Sequence, residues 1–155
     1  MGHDDIVAYV LRAPAPVPYG VGMSERRAIL SGSTFEQRIG YARAVLFDGW
    51  VHVSGTTGYD YATMTIAEDV VAQAEQCVRN IEAALAEAGA SLADVVRVRY
   101  LLPRREDFEP CWPVLRAAFG AVLPAATMQV CGLADPAMRI EIEVDARLTP
   151  GPGSD

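Results

Sequence analysis

Three carboxylates spaced two residues apart are the side chains of this chain best suited to chemistry. Glu141, Glu143 and Asp145 alternate with apolar residues between Ile140 and Val144, so a strand places the acids together on one face. Neighbouring carboxylates disfavour one another's ionisation. Two interpretations stay open. The row is the solvated outer face of an antiparallel strand, or one carboxylate lines a cleft and handles a proton or a water molecule.

Other groups that often perform catalysis or bind metals are sparse. The histidines are His3 and His52, and His52 alternates with valines in a strand pattern that favours a structural role. The cysteines Cys77, Cys111 and Cys131 are odd in number, widely spaced and surrounded by apolar residues, which predicts reduced core thiols. No group of histidines, cysteines and acids has metal-ligand spacing. We therefore expect neither a metal site nor a cofactor.

The composition is that of an ordinary globular protein, and it disfavours several functional classes. The chain has 155 residues, of which 51% are hydrophobic and 21% charged, enough for one domain with a core. A net charge of -7 offers no general attraction to nucleic acid. The apolar runs are too short to span a bilayer, and the N-terminus lacks the pattern of a signal peptide. We expect a cytoplasmic protein with neither nucleic-acid nor membrane partners.

One folded domain is predicted between two irregular ends. Residues 1–25 contain several prolines and glycines, which excludes a continuous helix or a central strand. We predict an extended arm over residues 1–25, a domain over residues 26–148 and a flexible tail over residues 149–155.

Hydrophobic periodicity and turn signals predict alternating strands and helices within this domain. Asp48-Gly49 favours a two-residue type I′ turn, residues Thr65 to Glu68 form a capping-box pattern, and Gly89 supplies a left-handed helix end. The predicted strands cover residues 27–31, 41–47, 50–54, 95–102, 127–131 and 139–148, and the predicted helices cover residues 65–88 and about 110–120. Both helices are amphipathic, which indicates an α+β two-layer sandwich. The uncovered sheet face around Trp50 predicts oligomerisation.

Five separated motifs resemble those of one known family. In chain order they are Tyr41-Ala42-Arg43-Ala44-Val45, Val53-Ser54-Gly55-Thr56, the helix from Gln73 to Gly89 with the segment Ala90 to Val96, Leu123-Pro124-Ala125-Ala126-Thr127, and Ile140-Glu141-Ile142-Glu143-Val144. This succession spans about residues 41–148 and resembles the Rid (reactive intermediate deaminase) family, also called the YjgF/YER057c/UK114 family.

The resemblance implies a chorismate-mutase-like (ferredoxin-like) mixed sheet with two helices on one face. It also implies a homotrimer with small-molecule clefts between subunits. The best-known members hydrolyse 2-imino acids, such as 2-iminopropanoate, to 2-oxo acids and ammonia. Carried over by motif, Glu141 is the residue that positions or activates the attacking water, and Tyr41, Ser54 and Gly55 complete the pocket.

The chain departs from the family pattern at two pocket positions. Ala126 stands where active members carry the arginine that binds the substrate carboxylate. Losing a charge-assisted hydrogen bond of roughly 1.5–3 kcal/mol weakens carboxylate binding about 10- to 100-fold. Trp112 stands near a usual asparagine, which makes the pocket wall bulkier and more apolar.

Four other arginines bear on whether the lost cation is replaced. Arg43 shares a strand face with the pocket tyrosine, and Arg139 shares one with the pocket glutamate, so either guanidinium could enter the cleft. Arg97 and Arg99 would instead pair with the acidic row if their strands adjoin it.

The expected function is hydrolysis of an imine or enamine that lacks a carboxylate, with Glu141 as general base and Tyr41 or Ser54 orienting the water. The expected substrate-binding residues are Gly55, Ala126, Thr127, Trp112 and Arg43. Two alternatives stay open. One is a cleft that binds or protects a small metabolite without turnover. The other is ribonuclease activity, which the acidic composition and the lack of a histidine pair disfavour.

Overall fold

The computed structural model describes residues 25–149, in which two long helices pack on one face of a six-stranded sheet. This confirms the predicted α+β class with a mixed sheet. In chain order the elements are β1 (Arg27–Ile29), α1 (Thr34–Ile39), β2 (Ala44–Phe47), β3 (Trp50–Thr57), β4 (Tyr59–Asp60), β5 (Thr65–Ile66), α2 (Val70–Glu87), β6 (Val95–Leu102), α3 (Phe108–Phe119), β7 (Ala125–Val130) and β8 (Glu141–Arg147). The predicted arm and tail lie outside the described residues, apart from residues 25 and 149.

The strand order of the sheet is β1-β2-β3-β8-β6-β7. All neighbouring pairs are antiparallel except β6 and β7, which are parallel. A parallel pair needs a crossover, and α3 supplies it. The last strand in the chain, β8, therefore lies at the centre of the sheet, between β3 and β6, and carries the acidic row there.

The core lies between the sheet and α2, because the apolar residues of this helix recur three or four positions apart. Their partners on the sheet are the alternate residues of the central strands. Fully buried residues of this core include Ala74, Cys77, Ile81, Leu85, Val51, Val98, Leu102, Ile142 and Ala146. Burial of large apolar side chains stabilises the fold by about 1.5–3 kcal/mol each. It also fixes the register, so the acidic residues of β8 must face away from the helices.

The face of the sheet opposite the helices carries large, partly exposed side chains. Trp50 stacks on His52 with ring centroids 6.1 Å apart, and the Arg147 guanidinium lies 5.4 Å from the Trp50 ring centroid. His52 Nδ1 lies 2.7 Å from Asp145 Oδ1. Phe47, paired with Trp50 across β2 and β3, is 48% exposed. Oligomerisation through this face stays a prediction.

The helix start predicted from the capping-box pattern at Thr65 to Glu68 is wrong. Its first two residues form β5, which pairs with β4. The helix N-cap is Asp69, whose carboxylate accepts a hydrogen bond from the backbone N–H of Ala72 at 2.8 Å. Aspartate caps as well as threonine and stands next to the apolar periodicity. The predicted left-handed helix end is confirmed at Gly89, where φ is +78°.

The Asp48-Gly49 turn is confirmed, with φ values of 48° and 74°. Other element boundaries differ from the prediction by a few residues. The helix α3 begins at Phe108, so that Pro110 lies inside its first turn. β7 begins at Ala125, and Arg139 precedes β8 instead of belonging to it. The short helix α1 is missed because six residues give less than two turns of periodicity.

The three cysteines are free thiols. Cys77 and Cys111 are buried as predicted, whereas Cys131 is only partly buried and so is not a core thiol. Burial raises the pKa of the Cys111 thiol to about 11 and raises the pKa of Cys77 as well. Both thiols are therefore protonated and unreactive at neutral pH. No helix within residues 25–149 has the length and apolarity to cross a bilayer.

Candidate functional site

The carboxylate of Glu141 lies directly against the backbone of Gly55. Glu141 opens β8 opposite Thr57 of β3, and the register between these strands shifts between Val53 and Thr56. Gly55 lies within that irregularity. A Cβ at position 55 would lie 2.8 Å from Glu141 Cδ and closer still to its Oε1. Glycine is therefore required here because the acid occupies the space of a side chain.

The Glu141 carboxylate is set apart electrostatically from the rest of the acidic row. Glu143 is ion-paired with Arg99, and Asp145 Oδ1 lies 2.7 Å from His52 Nδ1, so both acids are partnered residues of the outer sheet face. Within residues 25–149 no hydrogen bond or ion pair reaches the Glu141 side chain. Burial raises the pKa of Glu141, the charge of Glu143 raises it further, and the charge of Arg43 lowers it. A carboxylate with a raised pKa is a stronger proton acceptor.

Tyr41 follows α1 and reaches the same region. Its position is set by Gly40, which ends α1 in the left-handed conformation at φ +90°. Arg43 Nη2 donates a hydrogen bond to Tyr41 Oη at 3.0 Å. Because the phenol oxygen accepts from a cation, its own O–H proton is directed away from Arg43. Tyr41 can therefore offer a hydrogen bond to a ligand or a water.

Ser54, predicted to orient the water, instead uses its hydroxyl proton in a hydrogen bond within the chain. Its hydroxyl donates to the backbone carbonyl of Ala42 at 2.7 Å, and its backbone N–H donates to the carbonyl of Arg43 at 2.9 Å. The hydroxyl proton is thus committed to the neighbouring chain segment, and Ser54 can only accept a hydrogen bond from a water.

Arg43 is buried beneath this region instead of projecting into it. Its side chain is 3% exposed, and its Nη1 donates to Gly55 O at 2.8 Å and to Thr56 Oγ1 at 2.9 Å. Its Nε lies 3.7 Å from Oε1 of the equally buried Glu36. The guanidinium is therefore committed to protein groups, which counts against Arg43 as the cation that replaces the missing carboxylate ligand.

Glu36 was not singled out from the sequence, although a signal for it exists. Ser33 and Glu36 have the three-residue spacing of a capping box. Ser33 does cap α1, accepting a hydrogen bond from the backbone N–H of Phe35 at 3.2 Å. Glu36, however, turns to Ser31, whose N–H and hydroxyl donate to its carboxylate at 3.0 and 2.6 Å. Recognising this helix start would have placed an acid near Arg43.

Ala126 and Trp112 lie together in an open groove of about 750 Å³ between α3 and β7. Ala126 lies opposite the buried Val98 in the parallel pair β6–β7, on the helix side of the sheet. Trp112 is 52% exposed and packs edge to face against Phe108 at 6.1 Å. The remaining lining residues are Tyr100, Glu109, Pro113, Leu115, Arg116, Phe119, Gly120, Leu123 and Pro124. The groove is mostly apolar, and its one acid and one base cancel in formal charge.

The predicted site residues therefore form two separate groups within one chain. We call Glu141, Gly55, Tyr41 and Ser54 the acidic half-site, and Ala126 with Trp112 the groove half-site. In the acidic half-site, Ser54 and Gly55 lie on β3, Glu141 lies on β8, and Tyr41 lies between α1 and β2. The groove half-site lies beyond β6, on the helix-covered side. Thr127 belongs to neither, because it lies opposite Arg99 on the other face of β7.

Arg97, Arg99 and Arg139 do not supply a cation to either half-site. Arg139 donates from Nε and Nη2 to the Asp107 carboxylate at 3.0 and 2.6 Å. Arg99 pairs with Glu143, as predicted for adjoining strands, and Arg97 lies opposite Asp145. In the part of the chain that the structure describes, no cluster of three or more histidines, cysteines and acids is arranged to hold a metal ion.

Comparisons with known proteins show what the chain as a whole is similar to. A family model described as "Endoribonuclease L-PSP" matches residues 32–148. The 2-iminobutanoate/2-iminopropanoate deaminase of Rattus norvegicus is 35% identical over 123 residues, which cover 77% of this chain and 89% of the rat protein. The uncharacterized protein SCO2049 of Streptomyces coelicolor is 30% identical over 121 residues, covering 77% of this chain and 90% of that protein.

Solved structures show the same fold. Rv2704 from Mycobacterium tuberculosis, a member of the YjgF/YER057c/UK114 family, superposes with a TM-score of 0.73 at 38% identity. The match covers 80% of this chain and the whole of that chain. The RidA structure from the Antarctic bacterium Psychrobacter sp. PAMC 21119 has a TM-score of 0.67 at 31% identity, covering 78% of this chain and 94% of the other.

Proposed function

Because the chain belongs to the Rid (YjgF/YER057c/UK114) family, we propose that it hydrolyses the C=N bond of an imine, or of the imine tautomer of an enamine, that carries no carboxylate. The observation that carries this proposal is the half-buried Glu141 carboxylate. It lies against Gly55 without a hydrogen-bonding partner in the described residues, and its pKa is raised. A general base of this kind acts on a water molecule at neutral pH.

The chemistry needs one water and returns every proton. Glu141 takes a proton from the water as its oxygen attacks the imine carbon, and the electron pair of the C=N bond moves to nitrogen. Glu141 then passes the proton to that nitrogen. Glu141 next takes the hydroxyl proton of the resulting carbinolamine and delivers it to the amino nitrogen as the C–N bond breaks, which gives a carbonyl compound and ammonia. Tyr41, whose O–H proton points away from Arg43, orients the water or the nitrogen. Ser54 does so only as an acceptor.

The lining of the groove half-site favours an uncharged, apolar substrate. Ala126 offers no charge to a carboxylate, and the groove around it is walled by Trp112, Phe108 and other apolar residues. Arg116 is the one base among the lining residues, and the charge of Glu109 offsets it, so a carboxylate placed there would leave water without a net compensating charge, which is costly. A substrate whose substituent is apolar would instead gain about 25 cal/mol for each Å² that it buries.

A homotrimer is the proposed setting, because the two half-sites do not meet in one chain. The edge strand β7 is exposed at all six residues, and Met128 and Val130 on it are 41% and 45% exposed. An uncovered edge with apolar side chains favours contact with another subunit. The proposed cleft joins the acidic half-site of one subunit to the groove half-site of its neighbour, and the family resemblance supports this arrangement.

The test compares two freshly generated substrates, the uncharged aryl ketimine of acetophenone and the anion 2-iminopropanoate. Ammonia release above the spontaneous rate is followed in a coupled assay. We expect a higher kcat/KM for the ketimine, and Glu141→Gln should lower its kcat by on the order of 100-fold or more. The matched control is Glu143→Gln, because Glu143 shares the strand and face of Glu141 but is paired with Arg99.

Three outcomes would count against the proposal. Preference for 2-iminopropanoate would contradict the role given to Ala126, and equal losses in both glutamine variants would contradict the assignment of Glu141. No turnover of either imine, together with a small molecule that stays bound through purification, would favour a protein that binds or protects a metabolite. Ribonuclease activity is not proposed, because the net charge of -7 opposes RNA binding.

A further inference from the structure

We propose that Arg43, held by the buried Glu36, is a positioning residue that fixes the Tyr41 hydroxyl as a hydrogen-bond donor and holds the Gly55–Thr56 backbone beneath Glu141. The inference rests on the proposed function for its kinetic consequences. Its structural part concerns the geometry around one guanidinium and can be measured without a substrate.

The guanidinium of Arg43 joins the parts of the acidic half-site into one unit. Nη1 donates to Gly55 O at 2.8 Å and to Thr56 Oγ1 at 2.9 Å, and Nη2 donates to Tyr41 Oη at 3.0 Å. The group also lies 5.4 and 5.2 Å from the ring centroids of Tyr41 and Tyr61. A planar fork that bonds in two directions and stacks on rings is a role that lysine cannot reproduce.

Glu36 stabilises the buried charge while leaving the terminal nitrogens of Arg43 available to the site. Its carboxylate accepts hydrogen bonds from the backbone N–H and hydroxyl of Ser31 at 3.0 and 2.6 Å. It lies 3.7 Å from Arg43 Nε, beyond hydrogen-bond distance, and that Nε has no hydrogen-bond partner within the described residues. Arg139 differs, because it spends Nε and Nη2 on Asp107. The Arg139–Asp107 pair is a simple ion pair, whereas the Arg43–Glu36 pair leaves the Arg43 donors directed into the site.

The consequence for Tyr41 is a defined direction for its proton. A phenol oxygen that accepts from a cationic donor has its O–H turned elsewhere, and hydrogen bonds to charged groups are stronger than neutral ones. Tyr41 can then donate to the nitrogen of the imine without giving up its proton. Burial raises the pKa of Tyr61 to about 12, so Tyr61 contributes a neutral ring face. The charge of Arg43 also lowers the pKa of Glu141, whereas burial raises it.

The kinetic test is a double-mutant cycle between Arg43 and Tyr41 with the acetophenone ketimine as substrate. Arg43→Lys keeps the buried charge but loses the fork, and we expect kcat to fall about 10-fold with little change in KM, the loss of one charge-assisted hydrogen bond. In a Tyr41→Phe background the same change should cost less than about 3-fold, because the oriented hydroxyl is already absent. Fully additive effects would overturn the positioning role.

The substrate-free test is the titration of Glu141, followed by NMR of the carboxyl carbon in protein labelled at glutamate. The resonance is assigned with Glu141→Gln. Removing the cation in Arg43→Met should raise the pKa of Glu141, and removing its counter-charge in Glu36→Gln should lower it, whereas Arg43→Lys should leave it nearly unchanged. If Arg43→Met does not fold, Arg43→Gln removes the same charge while keeping a hydrogen-bond donor, and an unchanged pKa of Glu141 in that variant would overturn the coupling.

The control is Arg139→Lys, which weakens the ion pair between Arg139 and the buried Asp107, a pair that makes no hydrogen bond to the Glu141 side chain within the described residues. It should lower the unfolding temperature without changing kcat or the titration of Glu141. If the Arg43 and Glu36 variants also change only the unfolding temperature, the pair is structural and the inference fails. If the titration shifts as expected but no imine is hydrolysed, the proposed function fails while the coupling of Arg43 to Glu141 stands.

Discussion

The acidic half-site and the groove half-site differ in how their polar groups are held. Most of the acidic half-site lies on the central strands β3 and β8, and a buried ion pair fixes the groups beside Glu141. The groove half-site lies at an edge strand and is lined mainly by apolar side chains around Ala126. The first is suited to hold a reacting group in place, and the second is suited to bind a ligand by apolar contact. Under the proposed function, reaction chemistry and ligand choice would be carried by separate parts of the sheet.

The largest expected effect comes from disturbing the acidic half-site. Gly55→Ala inserts a Cβ that would lie 2.8 Å from Glu141 Cδ, so the carboxylate must move. A misplacement of about 1 Å costs on the order of 100-fold in rate. We expect kcat on the acetophenone ketimine to fall by that amount. The control is Gly132→Ala, where nothing lies within 4 Å of the added carbon. Wild-type kcat in Gly55→Ala would contradict the site.

Changing the groove half-site should alter selectivity and leave the chemistry in place. Ala126→Arg supplies the cation that the family pattern has at this position. We expect kcat/KM for 2-iminopropanoate to rise about 10- to 100-fold, with no gain for the ketimine. Ala125→Arg is the control, because the neighbouring residue places the same charge on the opposite face of β7. Equal gains from both variants would mean that charge anywhere on this edge attracts the anion.

The smallest expected effect is on stability. Because burial raises the pKa of Glu141, the folded chain holds this proton more tightly than the unfolded chain. The associated stability is complete below the ordinary pKa and is lost as the pH rises through the folded-state value. Glu141→Gln should therefore raise the free energy of unfolding at pH 7 relative to wild type, by less than about 1 kcal/mol because the carboxylate is partly exposed and screened.

Urea unfolding of wild type and Glu141→Gln at pH 7 and near pH 4 measures this difference, which should shrink at the lower pH. Glu143→Gln serves as the comparison, since it removes a carboxylate that is paired with Arg99 and should bring no gain. A Glu141→Gln protein that is less stable than wild type at pH 7 would show that the acid is stabilised by contacts in the folded chain.

Much of the fold could be predicted from local patterns, and its errors have local causes. Alternating residues identified β3, β6 and β8, and the Asp48-Gly49 turn fixed one hairpin. The capping-box error arose because two helix-start signals, at Thr65 and Asp69, stand four residues apart and only one has a helix after it. The position of β8 between β3 and β6 could come only from the family resemblance, because strand order depends on contacts distant in sequence.

The candidate site was harder to predict, because side-chain contacts depend on register. The motifs gave Glu141 and Gly55, but the sequence could not reveal that Arg43 lies buried against Glu36. Two adjacent residues of a strand point to opposite faces of the sheet, and a shift of the register by one residue exchanges those faces. That parity separates Thr127 from Ala126, and it is decided by tertiary packing.

The missing β-carbon at position 55 links two positions that lie far apart in the chain. As long as Glu141 fills that space, heritable change at Gly55 is restricted, and a methyl group there demands a shorter acid or a displaced backbone. A lineage that abandoned the glutamate would lose this restriction, and its glycine would be free to drift. Among relatives of this protein, a side chain at the glycine position should therefore mark those that lack the proposed hydrolysis.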